Sequence, residues 1–477
     1  MPTLPPFLTD GSMNAPDPIA ELDAIVARSR TAQATYERKG SQDRYDRAAK
    51  AAAWAIMEPA RNRELAELAV ATTGLGNVPD KIVKNHRKTL GLMRDITGVR
   101  THGVIRDDAE SGITEIARPM GVIGAVVPST NPIATPANNI INALKCGNSI
   151  IVAPSPKGAT SCARLLELMH AEFAKIGEDP DLVLMVPAPG SKDKTQRLMK
   201  ACDKIICTGS QDNVRRAQTA GTPAVAVGTG NVTVIVDETA NLEAAAEKIR
   251  ASKTFDNATS CSSENSVVVV DRVYEAFVAE MALAGGALIE DEAGVAARLW
   301  PDGRLNRSVV AQDADKVIAA LGLVVPEGTE YIAVQASGIG PGHPLSGEKL
   351  SRVLALYRAK DFGDAVQIAR KIQLHQGAGH SVGLHSTDDG RAMTLATAIP
   401  TCRVIVNQAH CFATGGAFSN GVPFSLSMGC GSWGGNSIDD NVHWRHFLQS
   451  TKIVREIHSR EPSLDDIFGE YWRDVGR

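Results

Sequence analysis

The sequence predicts an α/β protein built from two parallel-sheet units and one β-hairpin arm. Three observations predict it. From residue 121 onward, short apolar runs alternate with helical patterns, the mark of βα units on a sheet covered by helices. A second series of the same kind occupies about 237–425. Ahead of both lies a helical region, interrupted once by a strand–turn–strand segment at 99–118.

The chain is long enough for this plan, since 477 residues accommodate two or three domains with sizeable cores. Hydrophobic content of 43% and charged content of 22% exclude a disordered chain. The 50 basic and 54 acidic residues leave a net charge of −4, which argues against a nucleic-acid or membrane surface. No apolar run approaches the length of a membrane span. Residues 1–16 lack a basic n-region, so they read as a disordered lead-in rather than a secretory signal. None of the eight cysteines forms a C-x-x-C pair or takes zinc-finger spacing. They read as free thiols of a reducing cytoplasm, with no metal site. The expected partners are small molecules and further copies of the chain.

Taken in order, Asp17 is expected to cap a first helix that has Pro18 at its first position. Ile19, Leu22, Ile25 and Val26 form its apolar stripe. Ser41 opens a second helix that runs through Trp54 toward Pro59. Residues 64–73 form a third, stopped by Gly74 and Gly76, and 79–97 a fourth. Simple packing accounts for all four. The segment 99–106, turn 107–112 and strand 113–118 read as a hairpin, either a subunit-joining arm or an ordinary surface feature.

The βα series places strands at 122–127, 149–153, 182–186, 204–208, 224–227 and 232–236. Helices follow Pro132 and fill 159–176, 195–201 and 211–220. Ligands of such sheets bind at the carboxyl ends of the strands. Three strand ends fit that role: Pro128-Ser129-Thr130-Asn131-Pro132, Ala153-Pro154-Ser155-Pro156-Lys157, and Thr208-Gly209-Ser210, where a helix N-terminus meets small residues. Taken alone, each reads better as a plain βα turn. No G-x-G-x-x-G follows the first strand, and Gly228-Thr229-Gly230-Asn231 leads into a strand instead of a helix. In the second unit, strands are expected at 267–270, 353–357, 380–385 and 403–407, with helices at 274–284 and 362–371. Residues 408–427 read as loop. Gly429-Cys430-Gly431-Ser432-Trp433-Gly434-Gly435-Asn436 reads as a tight turn where backbone approaches something closely. The tail holds a strand-like piece at 452–457 and a polar end.

Cys261 is the focus of the chain. It lies in Phe255-Asp256-Asn257-Ala258-Thr259-Ser260-Cys261-Ser262-Ser263-Glu264-Asn265, between an alanine-rich helix at 241–252 and the valine strand. Its neighbours are small and polar, which leaves the sulfur approachable. From the residues alone it is either an inert buried thiol or a nucleophile on a rigidly held loop.

With Cys261, 128–132, 228–231, Glu348 and 429–436 in place, the chain resembles the aldehyde dehydrogenase superfamily over about 17–457. Within it, the chain is similar to the CoA-acylating branch. The stretch 399–437, with Val406-Asn407-Gln408-Ala409-His410-Cys411-Phe412, looks most like the members that act on sulfoacetaldehyde. The resemblance implies an aldehyde dehydrogenase-like fold. A Rossmann-type nucleotide-binding domain would span about 17–236, with an oligomerisation arm near 99–118. A catalytic domain would span 237–430, and a segment at 431–477 would return to the interface of a homodimer or homotetramer.

The resemblance also implies the roles. Cys261 would attack the aldehyde, lose a hydride to a nicotinamide as a thiohemiacetal, and pass the acyl group to CoA from a thioester. The Cys261 N–H and the Asn131 side chain, or Thr130, would hold the oxyanion. Val227 stands where hydrolytic relatives carry a glutamate base, so water would not be activated. His380 would handle the CoA thiol proton, and Glu348 would hold the nicotinamide ribose. Thr130, Pro154, Ser155, Lys157, Gly209, Ser210, Val227 and Gly228 would complete the cofactor site. Pro156 replaces a ribose-binding carboxylate, and Lys157 lies beside it, which favours NADP over NAD. A sulfonate needs donors, and His410, Thr414, Asn420, Arg403 and Arg352 are the candidates. The alternatives are the same chemistry on acetaldehyde, propionaldehyde or a semialdehyde, a hydrolytic dehydrogenase, and a non-catalytic self-assembling relative.

Overall fold

Residues 18–476 are described by a computed structural model. Four helices come first: Pro18–Arg38, Gln42–Met57, Pro59–Thr73 and Val78–Ile96. Ser41 accepts from the Arg44 N–H to cap the second, and Asn77 accepts from the Asp80 N–H to cap the fourth. Gly74 ends the third in a left-handed conformation, with φ of 70°. The expected cap at Asp17 and the lead-in 1–16 lie outside the described residues. No described helix is long and apolar enough to cross a membrane.

The hairpin consists of β1 (Gly103–Asp108) and β2 (Ile113–Pro119), paired antiparallel. It starts later than the sequence suggests. The Thr101 N–H donates to Gln42 Oε1 at 2.7 Å, which ties the preceding residues to the helical body instead of a strand.

β3 (Val122–Val127), β4 (Ser149–Pro154), β5 (Val183–Met185), β6 (Lys204–Thr208) and β7 (Ala224–Val227) make a parallel sheet in the order β5-β4-β3-β6-β7. Every residue of β3 is buried. Ile123, Ala125 and Val127 join one core under the helices Gln42–Met57 and Ala134–Lys145. Val122 and Val126 join the core on the opposite face. The two-residue side-chain period thus supplies both helical layers from one apolar run.

β8 (Val232–Val236), β9 (Glu264–Val270), β10 (Gly286–Ile289), β11 (Tyr331–Gln335), β12 (Val353–Ala359), β13 (Val382–His385) and β14 (Val404–Val406) form the second parallel sheet. Its order is β10-β11-β12-β9-β8-β13-β14. β8, grouped by sequence with the first unit, pairs with β9 and β13 in the middle of the second. The crossing between the sheets therefore falls at 228–231. β15 (Leu448–Val454) returns to pair with β2 and completes a three-stranded arm.

Several elements differ from expectation. The loop expected at 408–427 contains a short helix, His410–Thr414. The expected polar tail is a helix, Leu464–Val475, with a Ser463–Asp466 capping box. β10, β11 and the helices Glu292–Leu299, Ala314–Ala320 and Asp389–Ala398 went unread because they are short and their apolar residues are interrupted.

The site lies between the sheets. Residues 128–131, 208–210 and 228 follow the carboxyl ends of β3, β6 and β7, as expected. On the opposing sheet, Cys261, Glu348 and His380 all precede the amino ends of β9, β12 and β13. The carboxyl-end rule therefore holds for the first sheet and reverses for the second, because one cavity is shared by two sheets that face it from opposite ends.

Candidate active site

Cys261 and Glu348 share a cavity with Thr130, Asn131, Gly209 and Ser210. The loop that delivers the cysteine is strained. Asp256, Asn257 and Ala258 hold consecutive positive φ values of 47°, 54° and 58°. Such backbone persists only where surrounding contacts over-determine it. The Asp256 carboxylate is fully buried and accepts from Lys81 Nζ at 3.1 Å, from Lys84 Nζ, and from Thr259 Oγ1 at 2.7 Å. Asn257 donates to Asp313 at 2.9 Å and accepts from Arg352 Nε at 2.9 Å. Arg352 is thus a clamp on the loop that carries Cys261, and its Nη1 donates to the Glu330 carbonyl at 3.1 Å. It does not line the cavity.

The structure brings Cys261 and His380 together. Sγ lies 3.5 Å from Nε2. His380 Nδ1 lies 2.8 Å from Ser381 Oγ, and that hydroxyl lies 2.8 Å from His410 Nε2. When Ser381 donates to His410, His380 donates from Nδ1 to Ser381, and its Nε2 is left to accept from the thiol. Burial, reinforced by Arg403, lowers His380 to about 3. Burial, reinforced by the Glu348 and Cys430 sites, raises the Cys261 thiol to about 12. At neutral pH the resting pair is therefore a thiol and a neutral imidazole, with no imidazolium to hold a thiolate. Alkylation of Cys261 by iodoacetamide in the ligand-free protein should consequently rise about tenfold per pH unit from about pH 7 to 9. Peptide mass spectrometry reads this directly, and a plateau inside that range would mean a paired thiolate.

Glycines let the backbone close around this pair. A Cβ at Gly230 would stand 2.3 Å from the Cys261 carbonyl oxygen. At Gly379, where φ is 80°, it would stand 1.7 Å from the Cys430 carbonyl oxygen. The close approach expected of 429–436 is thus to the turn that carries His380. Cys430 N–H donates to Asn436 Oδ1 at 2.9 Å and fixes that loop.

Asn131 lines the cavity with its amide oriented. Lys84 Nζ donates to its Oδ1 at 3.0 Å, which leaves the NH2 end available to the cavity. With the Cys261 N–H it makes a pair of candidate oxyanion donors. Thr130 also lines the cavity.

A second cleft, lined by Pro154, Ser155, Pro156, Gly209, Ser210 and Asn213, runs along the carboxyl ends of the first sheet. It shares Pro128, Thr208, Gly209 and Ser210 with the cysteine cavity, so the two are continuous. Ser210 caps the helix Gln211–Gln218 by accepting from the Asn213 N–H. Two buried oxygens here have no partner: Ser155 Oγ and Glu348 Oε1. Both suit ribose hydroxyls of a dinucleotide, which makes the residues present a fit for such a cofactor. Burial raises Glu348 to about 8, against the lowering effect of the Gly230 N–H. Lys157 is exposed at the one-turn helix Pro156–Gly158 and is not in the lining of the cleft. Gly228 lines the cysteine cavity, whereas the Val227 side chain is buried just behind it.

The five residues expected to receive a sulfonate, Arg352 among them, do not line the cavity. His410 is 1% exposed and belongs to the layer behind His380. Thr414 Oγ1 donates to the His410 carbonyl at 2.9 Å within the short helix. Asn420 staples its own loop, donating to Gln408 Oε1 at 3.1 Å and Ala413 O at 3.2 Å. Arg403 donates to the carbonyls of His380 and Gly429, at 3.0 and 2.9 Å. Thr414 and Arg403 donate to backbone carbonyls, Asn420 to its own loop, and His410 faces Ser381, so none of them presents a donor to the cavity, and the assignment is corrected. The cavity instead receives Lys84, Arg87 and Lys88 from the helix Val78–Ile96. A signal existed in the sequence, since Lys81, Lys84 and Lys88 share one helical face. A basic stripe ordinarily faces water, and this one faces inward.

Residues 16–289 match the aldehyde dehydrogenase family model. A relative from Cupriavidus necator, sulfoacetaldehyde dehydrogenase (acylating), is 56% identical over 458 residues, covering 95% of this chain and 93% of its own. An acetylating aldehyde dehydrogenase from Geobacillus thermoglucosidasius superposes with a TM-score of 0.89 at 32% identity, over 94% of this chain and 98% of its own. A propionaldehyde dehydrogenase from Rhodopseudomonas palustris, solved with bound CoA and an acylated cysteine, superposes with a TM-score of 0.81 at 25% identity, over 91% and 97%.

Proposed function

Because this chain belongs to the aldehyde dehydrogenase family, we propose that it is a CoA-acylating dehydrogenase of sulfoacetaldehyde. Aldehyde, CoA thiol and oxidised nicotinamide dinucleotide give sulfoacetyl-CoA, reduced dinucleotide and a proton, reversibly. The observation that carries the reading is the Cys261–His380 pair in a cavity with no ionised carboxylate placed to activate water. Val227 is apolar, and the raised Glu348 carboxyl is neutral near pH 7.

Cys261 Sγ bonds the aldehyde carbon as its proton passes to His380 Nε2. The alkoxide of the thiohemiacetal is met by the Asn131 NH2 and the Cys261 N–H. A nicotinamide bound in the adjoining cleft would supply the hydride acceptor needed for this adduct to become a thioester on Cys261. Glu348 and Ser155 would hold its ribose hydroxyls, and Ser210, at the start of the helix Gln211–Gln218, would meet a phosphate. His380 releases the first proton to solvent and then takes the CoA thiol proton; CoA sulfur displaces Cys261, whose thiolate recovers that second proton from His380, and the enzyme thiol is restored.

The cofactor reading is NADP over NAD, supported by Pro156 in place of a carboxylate and by the nearby Lys157 ammonium. A homodimer or homotetramer is supported by the three-stranded arm, whose edge strands β1 and β15 expose Val104, Ile453 and Val454. Eight unpaired cysteines support a cytoplasmic setting.

The test follows nicotinamide reduction with sulfoacetaldehyde and with propionaldehyde, each with and without CoA. Turnover should require CoA and should favour the sulfonated aldehyde. Acid formed at full rate without CoA would overturn the acylating assignment.

A further inference from the structure

Lys84, Arg87 and Lys88 reach one cavity wall, but their charges are not equally compensated. Lys84 donates to Asp256, to Asn131 Oδ1 and to Thr259 Oγ1, three acceptors for three N–H groups. Lys88 donates to two backbone carbonyls, Gly415 O at 2.5 Å and Ser425 O at 3.0 Å. Arg87 donates from Nη2 alone, to Phe412 O at 2.7 Å and Gly416 O at 2.8 Å. Among the described residues neither Arg87 nor Lys88 has an ion-pair partner. Lys88 is 8% exposed. A buried cation without a counter-charge is costly, and carbonyl dipoles only partly offset it; burial first and then Arg87 accordingly lower Lys88 to about 7, and a bound anion would favour its charged form.

The surroundings hold the two cations still. The Arg87 guanidinium lies 4.9 Å from the Phe412 ring centre and 5.5 Å from that of Phe424. Lys88 Nζ lies 5.8 Å from the Phe424 ring centre. Gly91, one turn on, permits this docking, because a Cβ there would meet the Phe424 ring at 2.2 Å. One Lys88 N–H, the Arg87 Nε–H and both Nη1 N–H groups remain for a ligand.

We propose that Arg87 and Lys88 together bind the anionic group of the aldehyde and so set the specificity of the site. The proposal rests on the reading above and replaces the donors at 403–420 with a pair on the fourth helix. A sulfonate one methylene from the carbonyl has three oxygens for these diverging donors, and its single negative charge is shared between the two groups. Lys84 stays with Asp256 and Asn131, so the anion is bound beside the oxyanion donors and not by them. Lys88 and Cys261 line the same cavity, so an anion held at Lys88 shares that cavity with the sulfur.

The test compares kcat/KM for sulfoacetaldehyde and propionaldehyde in Arg87→Gln, Lys88→Met and Lys88→Arg. The sulfonate-to-neutral ratio should fall about 10- to 150-fold in the first two, mostly through KM, and be largely kept in Lys88→Arg. Because Lys88 also ties the Gly415 and Ser425 carbonyls, a second measurement uses the unaltered enzyme. Ethanesulfonate should compete with aldehyde and protect Cys261 from iodoacetamide, and neutral ethyl methyl sulfone should do neither. Equal losses on both aldehydes would assign the cations to the Cys261 thiolate and overturn the proposal. So would equal protection by sulfone and sulfonate. A CoA-dependent enzyme whose sulfonate preference survives both charge removals would overturn this assignment alone. An unaltered enzyme that prefers propionaldehyde would remove the functional reading and this assignment together.

Discussion

Cys261→Ala should reduce nicotinamide reduction to background, a fall of at least about 10,000-fold in kcat. The expectation follows from covalent catalysis, since no other cysteine is placed to replace it. Cys411 also lines the cavity, but it belongs to the short helix His410–Thr414, and it is Cys261 whose Sγ lies beside an imidazole, 3.5 Å from His380 Nε2. The Cys411 N–H donates to Ser252 Oγ at 2.9 Å, which fixes it to the structural layer. Intact-mass measurement makes the result specific. Aldehyde and oxidised cofactor without CoA should leave one acyl group on the unaltered enzyme, located at Cys261, and none on the variant. Acylation of the variant at Cys411, or turnover retained within about 100-fold, would move the nucleophile elsewhere.

Asp256→Asn has the second large effect, and it acts on stability and catalysis together. The Asp256 carboxylate serves two buried ammonium groups, Lys81 and Lys84. Burial alone would raise this carboxyl, but Lys84 and Lys81 outweigh it and hold it below the usual aspartate value. Lys81 shows the other side of the balance, because burial outweighs Asp256 there and lowers it to about 8. Lys84, which also has Asn131 and Thr259, is the firmer partner. Removing one member of a buried pair costs about 3–5 kcal/mol. The denaturation midpoint of Asp256→Asn should drop accordingly. Since the folded-state value of Asp256 is depressed, its contribution is whole above the ordinary aspartate value of about 3.9 and drains as pH falls below it. The gap between unaltered enzyme and variant should therefore narrow below about pH 4. Asp256 also braces the left-handed residues that lead to Cys261, so kcat should fall by about 100-fold or more through the displaced nucleophile. A variant with full activity and an unchanged midpoint would show that the strained loop needs no such brace.

Local pattern made much of the fold legible. β3, β6, β7 and β8 fall where apolar runs of four to six residues lie between turn residues. The helix start at Ser41 and the stop at Gly74 follow from residue type. The elements that escaped are short ones such as β10 and β11, where four or five residues do not establish a period. Of the site residues, the structure brings together Cys261, His380, Asn131, Glu348 and the 208–210 turn. Cys261 and His380 are 119 residues apart in the chain. No spacing rule connects them, and resemblance did. His410 was misplaced for the opposite reason. It is near the site in chain order, but its helix turns it behind Ser381.

By itself the sequence determined the two series of βα units, the polar loop around Cys261 and the absence of a carboxylate at 227. Each is written in a run of adjacent residues, and local backbone preference reads such runs. Only the tertiary structure decided that β8 joins the second sheet, because strand pairing is a choice among distant partners with the same apolar pattern. Only it decided that the Lys81–Lys84–Lys88 face of the fourth helix turns inward. Helical periodicity says which side chains share a face. It does not say which face is buried, and here Asp256 and the Gly91–Phe424 contact, both far from the stripe's partners in sequence, turn that face toward the cysteine.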